Sequence, residues 1–173
     1  MSRIKLTDIE RLILANQYEI LAELKDDESY ARRAEQLRDG HEWLYAQSFE
    51  WLSPNLPSDQ AEHVLTILGI YSDLKASYEA LEDKSGIDPH HVAFPGFDGN
   101  NEPELLSFSK ALRDADRFTE TIPEYGKNSH HPTTKLYGRI IAKWQELGKP
   151  SYPLDKETMM TIIDARIHPD NRK

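Results

Sequence analysis

The chain has 173 residues, of which 38% are hydrophobic and 29% are charged, a composition typical of a small soluble globular protein and too apolar for a disordered chain. It contains no cysteine, which excludes disulfides, thiolate catalysis and cysteine-ligated metal centres. Its formal net charge of −9 disfavours generic nucleic-acid binding, because neutralising phosphates requires a basic surface.

The sequence also bears on where the protein is found. No stretch approaches the ~20 consecutive apolar residues of a membrane span. Glu10, Glu19 and Asp26 fall where a signal peptide would have an uninterrupted apolar core. We therefore expect a cytoplasmic protein without a membrane partner, folded as a single domain over residues 1–173 with a frayed tail from about residue 168.

The ten prolines lie between, or at the starts of, segments whose apolar residues follow the helical period, and no segment shows the alternation of a strand. The sequence therefore predicts an all-α fold, a compact domain of about seven helices packed around a long central helix. The predicted helices cover residues 7–25, 28–38, 41–52, 58–82, 101–118, 133–147 and 155 onward.

The first predicted helix opens at "TDIE", where Thr7 and Glu10 have the spacing of a capping box. One side of its helical wheel forms an apolar arc: Ile9, Leu12, Ile13, Ile20 and Leu24. Asn16 and Gln17 fall inside this arc and are therefore candidates for buried polar residues. An unpaired buried amide costs about 1–3 kcal/mol, so we expect at least one of them to hydrogen-bond another helix or a loop backbone. Alanine at Asn16 should then destabilise the protein, whereas alanine at Glu19, predicted to be exposed, should not.

The fourth predicted helix is apolar over more than half of its wheel, which indicates a buried helix at the centre of the fold. Lys75 interrupts its apolar side, and Asp73 lies among its small residues. Two interpretations of these candidates remain open. Either the Lys75 ammonium reaches water while Asp73 lies at the rim, or the two form a buried functional pair.

The stretch "HHVAFPGFDGNN" at residues 90–101 combines histidine, aromatic and acidic side chains. Phe97 is expected to fill a gap between helices, and Asp98 to accept hydrogen bonds from nearby amides or to lie close to the start of the next helix. We interpret the stretch as a packed structural loop, with a ligand-contacting loop as the alternative. His90 and His91 are its other candidates.

The sixth predicted helix carries a basic stripe of Lys135, Arg139 and Lys143, spaced four residues apart. Tyr137 and Trp144 lie on the adjoining apolar face, and aromatic residues beside arginine are typical of interface cores. The stripe is either a solvated surface or a docking surface for acidic residues or a small anionic ligand. We predict a homo-oligomer, most simply a twofold dimer, in which the stripe meets acidic residues of a neighbouring chain or of the same chain.

The common catalytic motifs are absent: the sequence has no P-loop, no G-x-G-x-x-G, no H-E-x-x-H and no G-x-S-x-G. An enzyme is therefore the less favoured interpretation, and the sequence indicates neither a catalytic residue nor a cofactor. A DNA-binding helix-turn-helix around Gly40 is also disfavoured, because Asp39, Glu42 and Glu50 put negative charge where a recognition helix needs positive charge.

Several stretches resemble the YfbU-like family of small bacterial and archaeal proteins, whose function is uncharacterised. They are "LTDIERLILANQYEIL" from residue 6, "GFD" at 96–98 followed by Glu102, "DRFTE" at 116–120 and "KLYGRIIAKW" at 135–144. The resemblance spans roughly residues 6–164 in one colinear order and implies an all-helical fold. Some relatives look joined to a helix-turn-helix segment, which implies a ligand-sensing or regulatory module. We expect no such segment in this chain and therefore no direct binding to nucleic acid.

These observations favour a cytoplasmic, non-enzymatic binding or regulatory module that self-associates. The alternative is a small-anion sensor, or an enzyme, that uses the basic stripe of the sixth predicted helix. A stoichiometric small molecule retained through purification would favour the alternative, and a tight dimer without a ligand would favour the first hypothesis.

No metal site is expected at either histidine doublet, because adjacent residues on a helix point about 100° apart and do not chelate as an i, i+4 pair does. We predict that elemental analysis of protein purified without an affinity tag finds no stoichiometric zinc, iron, nickel or manganese. One bound equivalent that disappears when His90 and His91 are both replaced by alanine would contradict this prediction.

Overall fold

The computed structural model describes residues 5–167 of the chain, so the frayed tail predicted from about residue 168 lies outside the described residues. Within the described range the structure is all-α, as predicted, and no segment forms a β-strand. No helix in that range combines the length and the apolar character needed to cross a bilayer.

The contacts along the chain divide it into two compact units. Met1–Asn55 forms the amino-terminal unit, and Leu56–Lys173 forms the carboxy-terminal unit. The single domain expected over residues 1–173 concerns the relation between these units and stays a prediction.

The amino-terminal unit is a helical hairpin followed by a short helix. The hairpin consists of α1 (Asp8–Lys25) and α2 (Glu28–Arg38), and α3 (Glu42–Ala46) continues into a 3₁₀ turn over Gln47–Phe49. The capping box predicted at Thr7 is present at the start of α1.

The prediction of one continuous helix over residues 41–52 is wrong. α3 has only five residues, and its N-cap residue, His41, makes no side-chain capping bond. A helix this short is marginal unless packing supports it. Trp51 and Leu52 are exposed, so no packing extends the helix to residue 52.

Small residues line the contact within the hairpin. Ala15 of α1 and Ala34 of α2 are buried, and with Leu37 and Tyr45 they form the core of the unit. Small side chains at such a contact let two helices approach closely. The Arg11 guanidinium adds a hydrogen bond of 3.2 Å to the Leu37 carbonyl near the end of α2. The covered side of α1 is therefore the side of Ala15, which lies away from the predicted apolar arc.

The carboxy-terminal unit is built around its longest helix. Its helices are α4 (Ser58–Ala80), α5 (Pro89–Val92), α6 (Pro103–Asp114), α7 (Thr134–Glu146) and α8 (Lys156–Asp164). α4 contacts α5, α6 and α7, in agreement with the prediction of a central helix. α6 ends before the predicted residue 118, because Asp116 and Phe118 adopt left-handed backbone angles, with φ of 58° and 55°.

The loop between α5 and α6 inserts two aromatic side chains into the core of this unit. Phe94 and Phe97 are buried and pack against Tyr71 of α4 and Tyr137 of α7. The ring centroids in this cluster lie 5.3–6.1 Å apart, mostly in edge-to-face arrangements. The cluster fixes the path of the loop against both helices.

Gly96 brings this loop into close contact with the segment before α7. Its φ is 96°, and a Cβ atom built there would lie 2.1 Å from the Lys127 carbonyl oxygen, so only glycine fits. The same carbonyl accepts the Phe97 amide at 3.2 Å, and Phe97 forms an isolated parallel bridge with Asn128. The Tyr137 hydroxyl donates to the Gly96 carbonyl.

A buried carboxylate joins the same loop to the start of α7. Glu102 is 6% exposed and accepts hydrogen bonds from the amide and hydroxyl groups of Thr133 and Thr134, all within 2.8 Å. It also accepts the Asp98 amide at 3.0 Å. Burial by itself raises the pKa of Glu102, but the hydrogen bonds from Thr133, Thr134 and Asp98 outweigh it and bring the pKa to about 2. The ionised carboxylate therefore caps α7 and holds the loop at once.

We predict that Glu102→Gln lowers the free energy of unfolding at neutral pH by roughly 2–4 kcal/mol, because the amide keeps the shape but loses the charge and half of the acceptors. The pKa of Glu102 is lower in the folded protein than the usual 4.5 of the unfolded chain. Its stabilisation is therefore complete above about pH 5 and is lost as the pH falls towards about 2. The difference between parent and variant in urea unfolding should shrink accordingly.

The matched control is Glu104→Gln, which removes an exposed carboxylate from the first turn of α6. It should change the free energy of unfolding by less than about 1 kcal/mol at neutral and acidic pH alike. A Glu102→Gln effect that is equally large at neutral pH and in acid would contradict the role given to the carboxylate.

Candidate functional site

The basic stripe of α7 is largely bonded within the carboxy-terminal unit. The Arg139 guanidinium donates to the carbonyls of residues 165 and 166, directly after α8, and to the Lys135 carbonyl. The Lys143 ammonium forms an ion pair of 2.6 Å with Glu146. The partners of these two stripe residues thus lie in the same chain, and for Arg139 they are carbonyls rather than the expected acidic residues. The Lys135 side chain is exposed.

Tyr137 does not lie on an accessible surface, so its prediction as a ligand or interface residue is wrong. Its side chain is fully buried and contacts Tyr71 of α4. Trp144 is half-buried, and its indole N–H donates to the Pro150 carbonyl at 2.8 Å. Both aromatic residues hold α7 in place within the unit.

Asp73 and Lys75 are both half-buried, but they do not form a pair. The Lys75 ammonium donates to the Glu120 carbonyl in the loop after α6. Burial raises the pKa of Asp73, and a hydrogen bond with the Tyr152 backbone partly opposes this rise. The alternative of a buried functional pair is wrong, because residues two positions apart on a helix face different neighbours.

The Asp98 carboxylate forms hydrogen bonds with residues close to it in the sequence. It is buried, and its carboxylate accepts the Asn101 side-chain amide and the Asn100 backbone amide, the latter at 3.0 Å. Both hydrogen bonds lower the pKa of Asp98. The side chain thus closes an Asx turn before α6, which is one of the two arrangements expected for it.

The histidine doublet at the start of the same loop lies on α5. His90 is exposed, and the His91 imidazole lies 3.9 Å from the carboxylate of Asp88, which caps α5. Among the described residues, no group of three or more histidine or carboxylate side chains is placed to hold a metal ion.

The apolar arc predicted on α1 is exposed, which corrects the expectation that it is buried. The exposed fractions are 71% for Ile9, 52% for Leu12, 51% for Ile13, 59% for Ile20 and 75% for Leu24. Asn16 and Gln17 are exposed as well, so neither is a buried polar residue. The reason is that α1 is apolar on most sides, whereas α2 covers only the side of Ala15. We call the five aliphatic residues, with Asn16 and Gln17, the α1 face.

Asn16 is hydrogen bonded although it is exposed. Its side-chain oxygen accepts the Arg38 guanidinium at 2.9 Å, and the same guanidinium makes two bonds of 2.9 Å with Glu19. Glu19 is exposed, as expected, and its ion pair with Arg38 links α1 to α2. The small effect expected of alanine at Glu19 stays a prediction.

A cavity of about 360 Å³ opens in the carboxy-terminal unit. Lys75 of α4, Arg113 of α6 and Thr121 of the following loop lie in its wall. The sequence pattern indicates Lys75 as a candidate but neither of the others. No periodicity or motif links these positions, and only the packing of α4 against α6 brings them together.

No local sequence pattern indicates the structural role of Glu102, although this residue lies within the stretches that carry the family resemblance. In the local sequence, a glutamate directly before a proline is typical of an ordinary helix start. Its contacts with Thr133 and Thr134 join positions 31 and 32 residues away, which no local pattern reveals.

The fold and these surfaces define a small all-helical protein with a cavity of about 360 Å³ and a helix whose apolar side is exposed. The chain belongs to the YfbU domain family, whose family model matches residues 4–165. It is similar to the UPF0304 protein MJECS11 of Methanocaldococcus jannaschii, with 30% identity over 167 residues that cover 92% of this chain and 99% of that relative. It is also similar to the UPF0304 protein PM1500 of Pasteurella multocida, with 26% identity over 164 residues that cover 93% and 99% of the two chains. The resemblance inferred from the sequence is thus confirmed.

We predict that Arg139→Ala lowers the free energy of unfolding by about 1.5–3 kcal/mol, because the carbonyls after α8 lose a charged donor. Lys135→Ala removes an exposed stripe residue and should change it by less than about 0.5 kcal/mol. Urea unfolding of both variants measures the difference. If both substitutions lowered the free energy of unfolding equally, the bonds of Arg139 to the carbonyls after α8 would not be what stabilises the fold.

Proposed function

We propose that the chain is a cytoplasmic, non-enzymatic binding or regulatory module that self-associates through the α1 face. The observation that carries this proposal is the exposure of five aliphatic side chains along one side of a single helix. The net charge of −9 supports a protein partner over nucleic acid. The occupant we propose for the face is a second copy of this chain.

The area of the α1 face suits a dimer. An aliphatic side chain that is half to three-quarters exposed contributes on the order of 100 Å² of apolar surface. The face then offers roughly 500 Å², which matches the largest apolar patches of ordinary monomers, and these are often functional. Two copies of the face would bury roughly 1,000 Å² in total, which is the lower bound for a specific interface.

The order of residues along α1 supports an antiparallel twofold pair. The helix has 18 residues, a length of about 27 Å, and its midpoint lies between Asn16 and Gln17. Positions at equal distances from this midpoint match in character: Ile9 lies as far from it as Leu24, and Ile13 as far as Ile20. A twofold axis through the midpoint therefore brings aliphatic residues of one copy against aliphatic residues of the other.

The helix dipole of α1 favours the same orientation. Asp8 and Glu10 lie in the first turn, and Lys25 lies in the last turn beside Glu23 and Asp26. Antiparallel pairing opposes the two helix dipoles. The amides of Asn16 and Gln17 would meet at the axis, where a polar pair in an apolar seam sets the register.

A small anionic ligand is the second candidate partner. The basic stripe of α7 gives it little support, because Arg139 and Lys143 are already bonded. The cavity beside Lys75 and Arg113 gives it more, since both side chains there are cationic and border an open space.

The self-association test compares Ile20→Glu with Ala142→Glu. Both substitutions add one negative charge at an exposed helical position, but only Ile20 belongs to the α1 face. We expect the parent to be a dimer at micromolar concentration, Ile20→Glu to weaken it by about 100-fold or more, and Ala142→Glu to leave it unchanged. Sedimentation equilibrium measures association, and circular dichroism checks that both variants keep their helical content.

The absence of cysteine in the chain allows the orientation to be tested by crosslinking. An equimolar mixture of Ile9→Cys and Leu24→Cys proteins should form a disulfide-linked dimer that contains one chain of each. Ile9→Cys alone should not crosslink, because the two copies of residue 9 lie roughly 20 Å apart in the antiparallel pair, beyond the reach of a disulfide.

A parent protein that is monomeric at micromolar concentration would refute self-association. A dimer that Ile20→Glu leaves intact would show that the interface lies away from the α1 face. A disulfide-linked dimer of Ile9→Cys alone would be consistent with an interface at the α1 face but would contradict the antiparallel arrangement of the two helices.

A further inference from the structure

The cavity of the carboxy-terminal unit has the size of a small-molecule site. Its volume is about 360 Å³, within the range of known ligand pockets. Its wall is formed by α4, by α6, by the loop after α5 and by the loop that follows α6. All of these segments belong to the same unit, so the site does not depend on self-association.

The charge of the wall is positive although the chain as a whole is acidic. Lys75, Arg113 and Lys127 line the cavity, and Glu120 is the one acidic residue among the described residues of its wall. The Lys75 ammonium donates to the Glu120 carbonyl, and Arg113 donates to two carbonyls of the same loop at 2.7 Å. These acceptors are uncharged. Among the ion pairs of the described residues, none includes any of the three cations.

Two residues of the wall, Tyr71 and Thr121, carry buried hydroxyl groups. Neither hydroxyl has a hydrogen-bond partner among the described residues. Both residues are more than nine-tenths buried. A buried hydroxyl without a partner costs about 1–3 kcal/mol, so a polar occupant that reaches the Thr121 hydroxyl from the cavity would be stabilised.

The remainder of the wall is apolar. Val92, Phe94 and Ile122 are buried residues that border the cavity, and Pro123 extends this surface. A bound inorganic ion would make no apolar contact with these side chains. The wall therefore matches a molecule with one charged end and one compact apolar end.

The loop that carries Thr121 is held in an unusual conformation. Asp116 and Phe118 have positive φ angles, which are rare for residues other than glycine and especially for bulky ones. Lys75 and Arg113 hold the loop by their bonds to its carbonyls. Backbone held in sparsely populated conformations is frequent at ligand sites, where it pre-forms the wall.

We propose that this cavity binds a small organic anion, a carboxylate or phosphate group carried on a compact apolar body. Lys127 and the free donors of Lys75 and Arg113 attract the anionic group, and the Thr121 hydroxyl donates a hydrogen bond to it. Phe94 and Ile122 contact the apolar body. This site specifies the second candidate partner proposed above and is separate from the α7 stripe.

Four probes test the chemistry of the site in isothermal titration calorimetry at low salt. Benzoate carries a carboxylate on a phenyl ring, and phenyl phosphate carries a phosphate on the same ring. Benzyl alcohol has the ring without an anionic group, and inorganic phosphate has the anionic group without the ring. We expect benzoate or phenyl phosphate to bind with a dissociation constant below about 1 mM, and the tighter of the two identifies the anionic group. Benzyl alcohol and inorganic phosphate should each bind at least about tenfold more weakly.

Two substitutions locate the binding without removing the bonds that hold the loop. Lys127→Ala removes an exposed cation of the wall, and Thr121→Val keeps the shape while removing the unpartnered hydroxyl. Each should weaken the better probe by about fivefold or more, and Thr121→Val should not lower the melting temperature of the free protein. Lys135→Ala is the control, because it removes an equal charge from an exposed position outside the cavity and should change binding by less than twofold.

Binding of neither organic anion at millimolar concentration would overturn the proposal. Benzyl alcohol that binds as tightly as the organic anions would also overturn it, because the charge would then contribute nothing. Inorganic phosphate that binds as tightly would do the same, because the apolar contact would then contribute nothing. If Lys135→Ala lowered the affinity for the probe as much as Lys127→Ala does, the binding would come from general charge attraction and not from a site. None of these outcomes bears on the dimer formed through the α1 face.

Discussion

Glu102 holds a charge inside the carboxy-terminal unit, where an unpaired carboxylate would cost several kcal/mol. It is tolerated because the amide and hydroxyl groups of Thr133 and Thr134 and the amide of Asp98 all donate to it. The first two residues begin α7, and the third belongs to the loop that carries Phe97 into the core. The position of α7, the aromatic cluster and the loop are therefore coupled through one ionised group.

Cationic side chains of the chain repeatedly bind backbone carbonyls instead of carboxylates. Arg139 does so after α8, and Arg113 and Lys75 do so in the loop after α6, whereas Arg11 donates both to the Leu37 carbonyl and to the Asp8 carboxylate. Such bonds satisfy orphan carbonyls but leave the positive charge without a counter-charge. This explains how an acidic protein contains a cavity with a positive wall.

The amino-terminal unit has the opposite imbalance, with more apolar surface than its own elements cover. Its hairpin is two helices thick, and the core contains only four buried residues among those described. α1 is apolar on most of its circumference, while α2 has one narrow apolar side, so the α1 face remains open. An exposed apolar side of this extent is suited to a partner, and the approximate twofold pattern of its residues supplies a reason for that partner to be a second copy.

The sequence by itself determined the helical class, the order of the helices and many of their ends, because prolines and caps such as Thr7 act within one turn of backbone. It also carried the family membership. Tertiary structure alone decided which side of α1 is covered, that Tyr137 is buried and that Glu102 reaches Thr133, 31 residues away. A helical wheel ranks the sides of a helix by polarity, but burial depends on which other segment packs there, and a helix apolar on most sides leaves that choice to its partner.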